Sequence, residues 1–320
     1  MSREFPSRRV ILAGGLALAG AGCSTGTPAP SATTAGPVPS APPTPSPTAS
    51  PTASPSPSPS VSSPTSSAPT AHPLPGPEWA LTALPSRADV VARYAARPPG
   101  AWGLSVPGVL THLDKAAGVA LTFDACGGSG GGDGYDADLI GELRRLQVPA
   151  TLFLNRRWIT ANPSLALELA NDPLFEVESH GMRHVPLSTS GKAAYGITGT
   201  ANLGEAYDEL VGADDWFTST LGRRPWFFRP GTAYADEACA ALARELGRPL
   251  AGFAVNADAG ATAPPAAVAS ALRGAKAGDI VIGHMNRPGR GTAAGVKQVL
   301  AALVDKGTRF VRLAEGFAAN

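Results

Sequence analysis

Val119-Ala120-Leu121-Thr122-Phe123-Asp124-Ala125-Cys126-Gly127-Gly128 is the stretch on which the fold turns. Its first five residues form a nearly unbroken apolar run, the pattern of a strand buried on both faces, and the run ends at a carboxylate followed by glycines. Immediately downstream, Leu139, Ile140, Leu143 and Leu146 recur at helical spacing, and Ala150-Thr151-Leu152-Phe153-Leu154 is a second strand. The alternation continues to the end of the chain. A helix over 164–170 precedes a strand over 175–178, and a long helix over 202–221 precedes Trp226-Phe227-Phe228. A helix over 236–246 then leads to a strand over 252–255, and Pro264-Pro265 opens another helix, as proline in a first turn can. Residues 279–282 and 310–313 are the last strands, with a helix over 293–305 between them. About seven such alternations argue for an α/β fold: a parallel sheet with surrounding helices, open or closed into a barrel.

Outward from this region the chain changes character. Residues 76–117 form an N-terminal extension with a helix near 86–96, ended by Pro98-Pro99-Gly100. Residues 24–75 are almost entirely Pro, Ser, Thr and Ala, with no periodic apolar face to offset the entropy of ordering the backbone. They read as a linker that would reach roughly 150 Å if extended as polyproline II. Residues 1–23 read as an export signal. Arg8-Arg9 resembles a twin-arginine motif, residues 10–21 are apolar but too short to span a bilayer, and Cys23 after Leu18-Ala19-Gly20-Ala21-Gly22 resembles a lipidation site. The expected location is therefore extracytoplasmic, at the cell surface or wall, with the membrane reached only through a lipid on Cys23. The net charge of +1 gives no reason to expect nucleic acid. Cys126 and Cys239 remain after export and are candidates for a disulfide.

In parallel α/β folds the chemistry gathers at the carboxyl ends of the strands. The polar residues in those positions are Asp124, His180, Arg229, Asp258 and His284. Three of the five histidines follow strands, and His180 with His184 has a spacing of four that suits two imidazoles on one helical turn, able to share a metal ion.

Together these residues resemble the polysaccharide deacetylases of the NodB homology type, carbohydrate esterase family four, over roughly residues 118–315. Thr122-Phe123-Asp124, the segment from Ser179-His180 to His184-Val185-Pro186-Leu187-Ser188, Phe228-Arg229-Pro230 and Ile280-Val281-Ile282-Gly283-His284 follow the order and spacing of the family motifs. The resemblance implies a distorted (β/α)7-type barrel of mostly parallel strands. It also implies a divalent metal on His180 and His184, zinc by default with cobalt or nickel as alternatives. Asp124 would be the general base, His284 the general acid, and Arg229 the partner that keeps Asp124 ionised, with the Pro230-Gly231-Thr232 turn near the oxyanion. Asp258 falls where an acidic residue tunes the catalytic histidine, and Tyr234 and Trp226 are candidates for sugar contact.

Two departures qualify the match. The family carries a second aspartate, a metal ligand, where this chain has Ala125. Asp136 (or Asp133) beyond the glycine loop, two histidines with water, or the Cys126 thiolate could make good the loss; Asp136 is favoured, with helix capping as its alternative role. Proline also follows Arg229 directly, one place earlier than usual. The expected activity is removal of N-acetyl groups from a cell-wall or chitin-like polysaccharide by a monomeric enzyme. An O-acetyl esterase and a catalytically inactive glycan-binding module are the alternatives.

Overall fold

The computed structural model describes residues 76–113 and 117–318. Residues 1–23, read as an export signal with a lipidation site at Cys23, and 24–75, read as a linker, lie outside the described residues. Among those described, no helix is long and apolar enough to cross a membrane.

Seven short strands build the barrel: β1 (Val109–Leu110), β2 (Ala120–Ala125), β3 (Ala150–Leu154), β4 (Phe175–Ser179), β5 (Leu250–Ala251), β6 (Val255–Asn256) and β7 (Ile280–His284). Five of them form one parallel sheet in the order β6-β7-β2-β3-β4, the central strands buried along their length. The ring continues through parallel bridges from Ser179 to Phe228 and from Phe228 to Leu250, and β5 pairs in parallel with β1. The segment 250–256 closes the ring, because Leu250 bridges Phe228 on one side while Val255 pairs with Val281 on the other. Residues 76–113 are thus built into the barrel: β1 lies beside β5, and Trp102–Gly103 pairs antiparallel with Ala235–Asp236.

Helices cover the outside where the periodicity placed them, each with a local reason to begin. Ser86 caps Arg87–Tyr94, Asp136 caps Ala137–Arg145, Asp236 caps Glu237–Glu245, and Pro265 opens Pro265–Gly274. The long helix expected over 202–221 is two, Leu203–Val211 and Asp214–Leu221, broken at Gly212-Ala213. That over 293–305 is also two, Gly291–Lys297 and Leu300–Asp305, separated where Val299 leaves helical geometry.

The strands expected at 226–228 and 310–313 shrink to single bridges, Phe228 with its neighbours and Phe310 with Val119. At 226–228 the cause is Glu178, one of two buried carboxylates on β4, and at 310–313 the helix Leu313–Ala318 begins before a ladder can extend. Glu178 accepts the backbone N–H groups of Trp226 and Phe227 at 2.7 and 3.0 Å, and Glu176 accepts that of Ala314 at 2.9 Å. Glu178 therefore takes donors that a ladder would otherwise have used, and Glu176 satisfies a first-turn donor of the helix Leu313–Ala318. Arg223 neutralises Glu178 at 2.9 Å, whereas one oxygen of Glu176 has no partner.

Burial, with the neighbouring Glu178 charge, pushes the Glu176 carboxyl up to about 8 from an ordinary 4.5. The folded state then keeps a proton that the unfolded chain releases above 4.5. This contribution to stability is present below pH 4.5, is lost as pH rises through 8, and is flat beyond. Glu176→Gln removes that dependence. Urea unfolding at pH 8 should show the variant more stable by on the order of 2 kcal/mol, with the two proteins converging near pH 4.5. Parallel stability curves for the two proteins would contradict a protonated Glu176.

Candidate active site

The carboxyl ends of β2, β4 and β7 open on a cavity of about 650 Å³ lined by Asp124, Cys126, His180, His184 and His284. Asp124 ends the apolar run of β2 and is almost wholly buried, which is tolerable only because it is paired. Its Oδ1 accepts from Arg229 Nη1 at 2.7 Å, and its Oδ2 stands 3.6 Å from His180 Nε2. Burial alone would push this carboxyl up; the Arg229 guanidinium, with His180 and His284, holds it below its ordinary value instead. Arg229 is itself fully buried. It donates to Thr122 Oγ1 and to the carbonyls of Ala251 and Gly252 at 2.8–3.0 Å, and it lies 4.2 Å over the Phe153 ring.

His180 follows β4 directly. Its Nδ1 lies 2.8 Å from the carbonyl oxygen of Arg229, so Nδ1–H donates there and the Nε2 lone pair faces the cavity. The 180–184 segment is not the helical turn that the spacing suggested. It is an open loop in which His184 has φ +61°, and the two imidazoles meet edge to face with centroids 4.8 Å apart. Two features outside the motif shape this loop. Glu209, on Leu203–Val211, is buried and accepts the backbone N–H groups of Met182, Arg183 and His184 at 3.0–3.1 Å. Gly231 packs against the other side, where a Cβ would come within 2.2 Å of the His184 carbonyl carbon. Glu209 was missed by motif reading. Its signal is a carboxylate within the apolar face of Ala206, Leu210 and Ala213. Glu209→Ala strands three N–H donors and should cost about 3 kcal/mol in urea unfolding, with Glu209→Gln recovering part of it; a loss under about 1 kcal/mol would show the loop holds its shape unaided.

Asp136, expected as a third metal ligand, does not stand beside the two histidines. That residue is the N-cap of Ala137–Arg145, its Oδ1 accepting from Leu139 N at 3.1 Å, and it does not line the cavity. Asp133 is likewise occupied, stapling the glycine loop by accepting from Gly128 N at 2.7 Å. Cys126 is the side chain that stands beside the two histidines. Its Sγ is 3.8 Å from His180 Nε2, and one donor atom each from Cys126, His180 and His184 all lie within 4.8 Å of one another. Burial tends to raise its thiol, but the three surrounding histidines hold it well below its ordinary value. Cys126 and Cys239 are both free, Cys239 being buried among the apolar residues of Glu237–Glu245, so the two candidates for a disulfide are not bonded to each other.

His284 ends β7. Asp258, fully buried, accepts from its backbone N–H at 2.7 Å and from its Nδ1 at 2.9 Å, and from Thr292 Oγ1 at 2.8 Å. Nε2 is left to the cavity. Burial opposes charge on this imidazole, yet Asp258 and Cys126 raise it well above the ordinary value. Of the two aromatic candidates, Trp226 is core: it is buried, with Arg223 stacked 3.8 Å over its ring, away from this cavity. Tyr234 does not line the cavity either; its ring lies between those of Trp102 and Tyr195.

The family model for polysaccharide deacetylase matches residues 114–251. Solved structures of known proteins share the fold. The Bc1960 peptidoglycan N-acetylglucosamine deacetylase, crystallised with a naphthalenyl N-oxidanyl-benzamide, is 21% identical, with 66% of this chain and 92% of that one covered and a TM-score of 0.53. PdaA of Bacillus subtilis, a family 4 carbohydrate esterase, is 17% identical over 71% of this chain and 86% of its own, with a TM-score of 0.51. BA3943 of Bacillus anthracis, a pseudoenzyme of the same family, is 18% identical over 65% and 66%, with a TM-score of 0.50. No curated protein matches the chain. The deacetylase-family match stops before Asp258 and His284, which join the site through the closing strands β6 and β7.

Proposed function

We propose that the protein is a metal-dependent deacetylase of an acetylated glycan, removing N-acetyl groups from a cell-wall or chitin-like polysaccharide. The observation that carries this reading is the convergence of Asp124, His180, His184 and His284 on one cavity together with a Cys126 thiol among the imidazoles. Two nitrogen donors and one sulfur donor, opening on space for further ligands, fit a catalytic zinc-type ion, with cobalt or nickel as substitutes. Such an ion, held by His180, His184 and Cys126, would supply Lewis-acid polarisation of the acetyl carbonyl.

The remaining chemistry belongs to the chain. Asp124 is ionised by its pairing with Arg229, and its Oδ2, the oxygen that Arg229 leaves free, takes the proton of the attacking water. His284, its Nδ1 fixed by Asp258, presents Nε2 to the sugar nitrogen and donates the proton that lets the amine leave. The products are acetate and a free amine. The turn at Gly231–Ala233 borders the cavity through Thr232 and Ala233, beside where the developing oxyanion would sit.

Ala125 and the resemblance to a pseudoenzyme favour one second reading, a glycan-binding module without catalysis. Acetate release by the zinc-loaded protein from chitooligosaccharide, peptidoglycan and acetylated xylan separates the readings. Acetate from the first two supports the N-deacetylase, acetate from xylan alone an O-acetyl esterase, and glycan binding without acetate the inactive module. The export reading rests on Arg8-Arg9 and Cys23, and labelling with a fatty-acid probe in wild type but not in Cys23→Ala is its test.

A further inference from the structure

Metal ligation does not exhaust the chemistry open to Cys126. Its side chain is half-buried and lines the cavity of about 650 Å³ that holds Asp124 and His284, so a small neutral molecule reaching those residues reaches the sulfur too. His180 Nε2 is 3.8 Å from Sγ, and His184 brings a further nitrogen to the same cluster. No second thiol among the described residues borders the cavity. Cys239 is fully buried in another apolar cluster, with Val90, Leu187 and Leu250. Asn286 supplies an independent observation. It is fully buried in the lining of the same cavity, and its Nδ2 donates to the Gly132 carbonyl at 2.8 Å, which also accepts from Gly127 N at 3.1 Å. The side chain is thus tied to the residue that follows Cys126, while its Oδ1 has no hydrogen-bond partner. A buried acceptor without a donor is costly, and a thiol is a weak donor where an S–OH group is a strong one.

We infer that Cys126 is an oxidative-modification site, at which a hydroperoxide converts the sulfur to a sulfenic acid and so expels the ion shared with His180 and His184. Sulfur ligates a metal as thiolate, which is also the form that peroxide attacks. The sulfur takes one peroxide oxygen: the S–O bond forms as the O–O bond breaks, and the departing hydroxide or alkoxide takes a proton from solvent. Sulfur loses the two electrons that the peroxide gains. Oxidation removes the thiolate donor, and two imidazoles alone hold an ion weakly. With no resolving cysteine at the cavity, reversal falls to a small external thiol. Its sulfur displaces water from the sulfenic acid to give a mixed disulfide, and a second such thiol releases Cys126 and leaves the thiol's own disulfide. The expulsion of the ion rests on the metal-dependent reading of the function; the modification itself does not.

The test treats the zinc-loaded protein with a small excess of hydrogen peroxide, traps sulfenic acid with dimedone for peptide mass spectrometry, and follows released zinc with a chromogenic chelator. The adduct at Cys126 should exceed that at Cys239 by at least about tenfold, with zinc released in step with it. In a parallel sample without dimedone, glutathione should restore zinc binding. Cys126→Asp, which keeps a donor in place but has no sulfur there, should hold its zinc at least about tenfold longer in the same peroxide. Cys126 left unmodified, or modified with the zinc retained, overturns the inference. Zinc expelled in step with the Cys126 adduct from a protein that releases no acetate upholds the inference and rejects the deacetylase reading alone.

Discussion

Asp124→Asn is expected to lower kcat for acetate release by about a thousandfold while the protein keeps its zinc. The amide keeps the shape of the carboxylate but cannot accept a proton at the oxygen facing His180. Its effect on folding should be tolerable. Arg229 loses its only carboxylate yet retains Thr122 Oγ1 and the carbonyls of Ala251 and Gly252. The thermal midpoint should therefore fall without loss of cooperativity, and activity is to be compared at a temperature where both proteins are folded. Retention of more than about a tenth of wild-type kcat would remove Asp124 from the role of base.

Cys126→Ala should weaken zinc binding by at least about a hundredfold, because it removes one of three donors and leaves a buried gap between the histidines. Cys126→Asp puts a carboxylate into the same position and should restore binding, with a lower preference for thiophilic ions such as cadmium. Asp136→Ala is the control. As a helix cap it should cost about 1 kcal/mol of stability and leave zinc affinity unchanged. The opposite pattern, zinc lost with Asp136→Ala and kept with Cys126→Ala, would reinstate Asp136 as the ligand and require the glycine loop to rearrange on metal binding.

The strand–helix alternation was legible because each central strand is buried on both faces and reads as an apolar run, as in Leu121 and Phe123 or Leu152 and Phe153. The strand ends were legible too: Asp124, His180, Arg229 and His284 all face the interior of one barrel mouth or its immediate support. Two kinds of feature were hidden. Helix breaks at Gly212-Ala213 and Val299 depend on what the backbone packs against, and periodicity averages across them. Carboxylates that substitute for ladder or turn partners were hidden for a different reason. Glu176, Glu178 and Glu209 bond to backbone groups 25 to 138 residues away, and no local pattern encodes a partner at that distance. The exchange of Asp136 for Cys126 belongs to the same class. A capping aspartate and a ligating one look alike in sequence, and only the closeness of Sγ to His180 Nε2 separates them.

X-ray absorption at the zinc edge of the metal-loaded protein tests the centre of this picture most directly. One sulfur and two imidazole nitrogens in the first coordination shell, with the sulfur contribution gone in Cys126→Ala, is the expected result. A shell of nitrogen and oxygen only, identical in the two proteins, would contradict it.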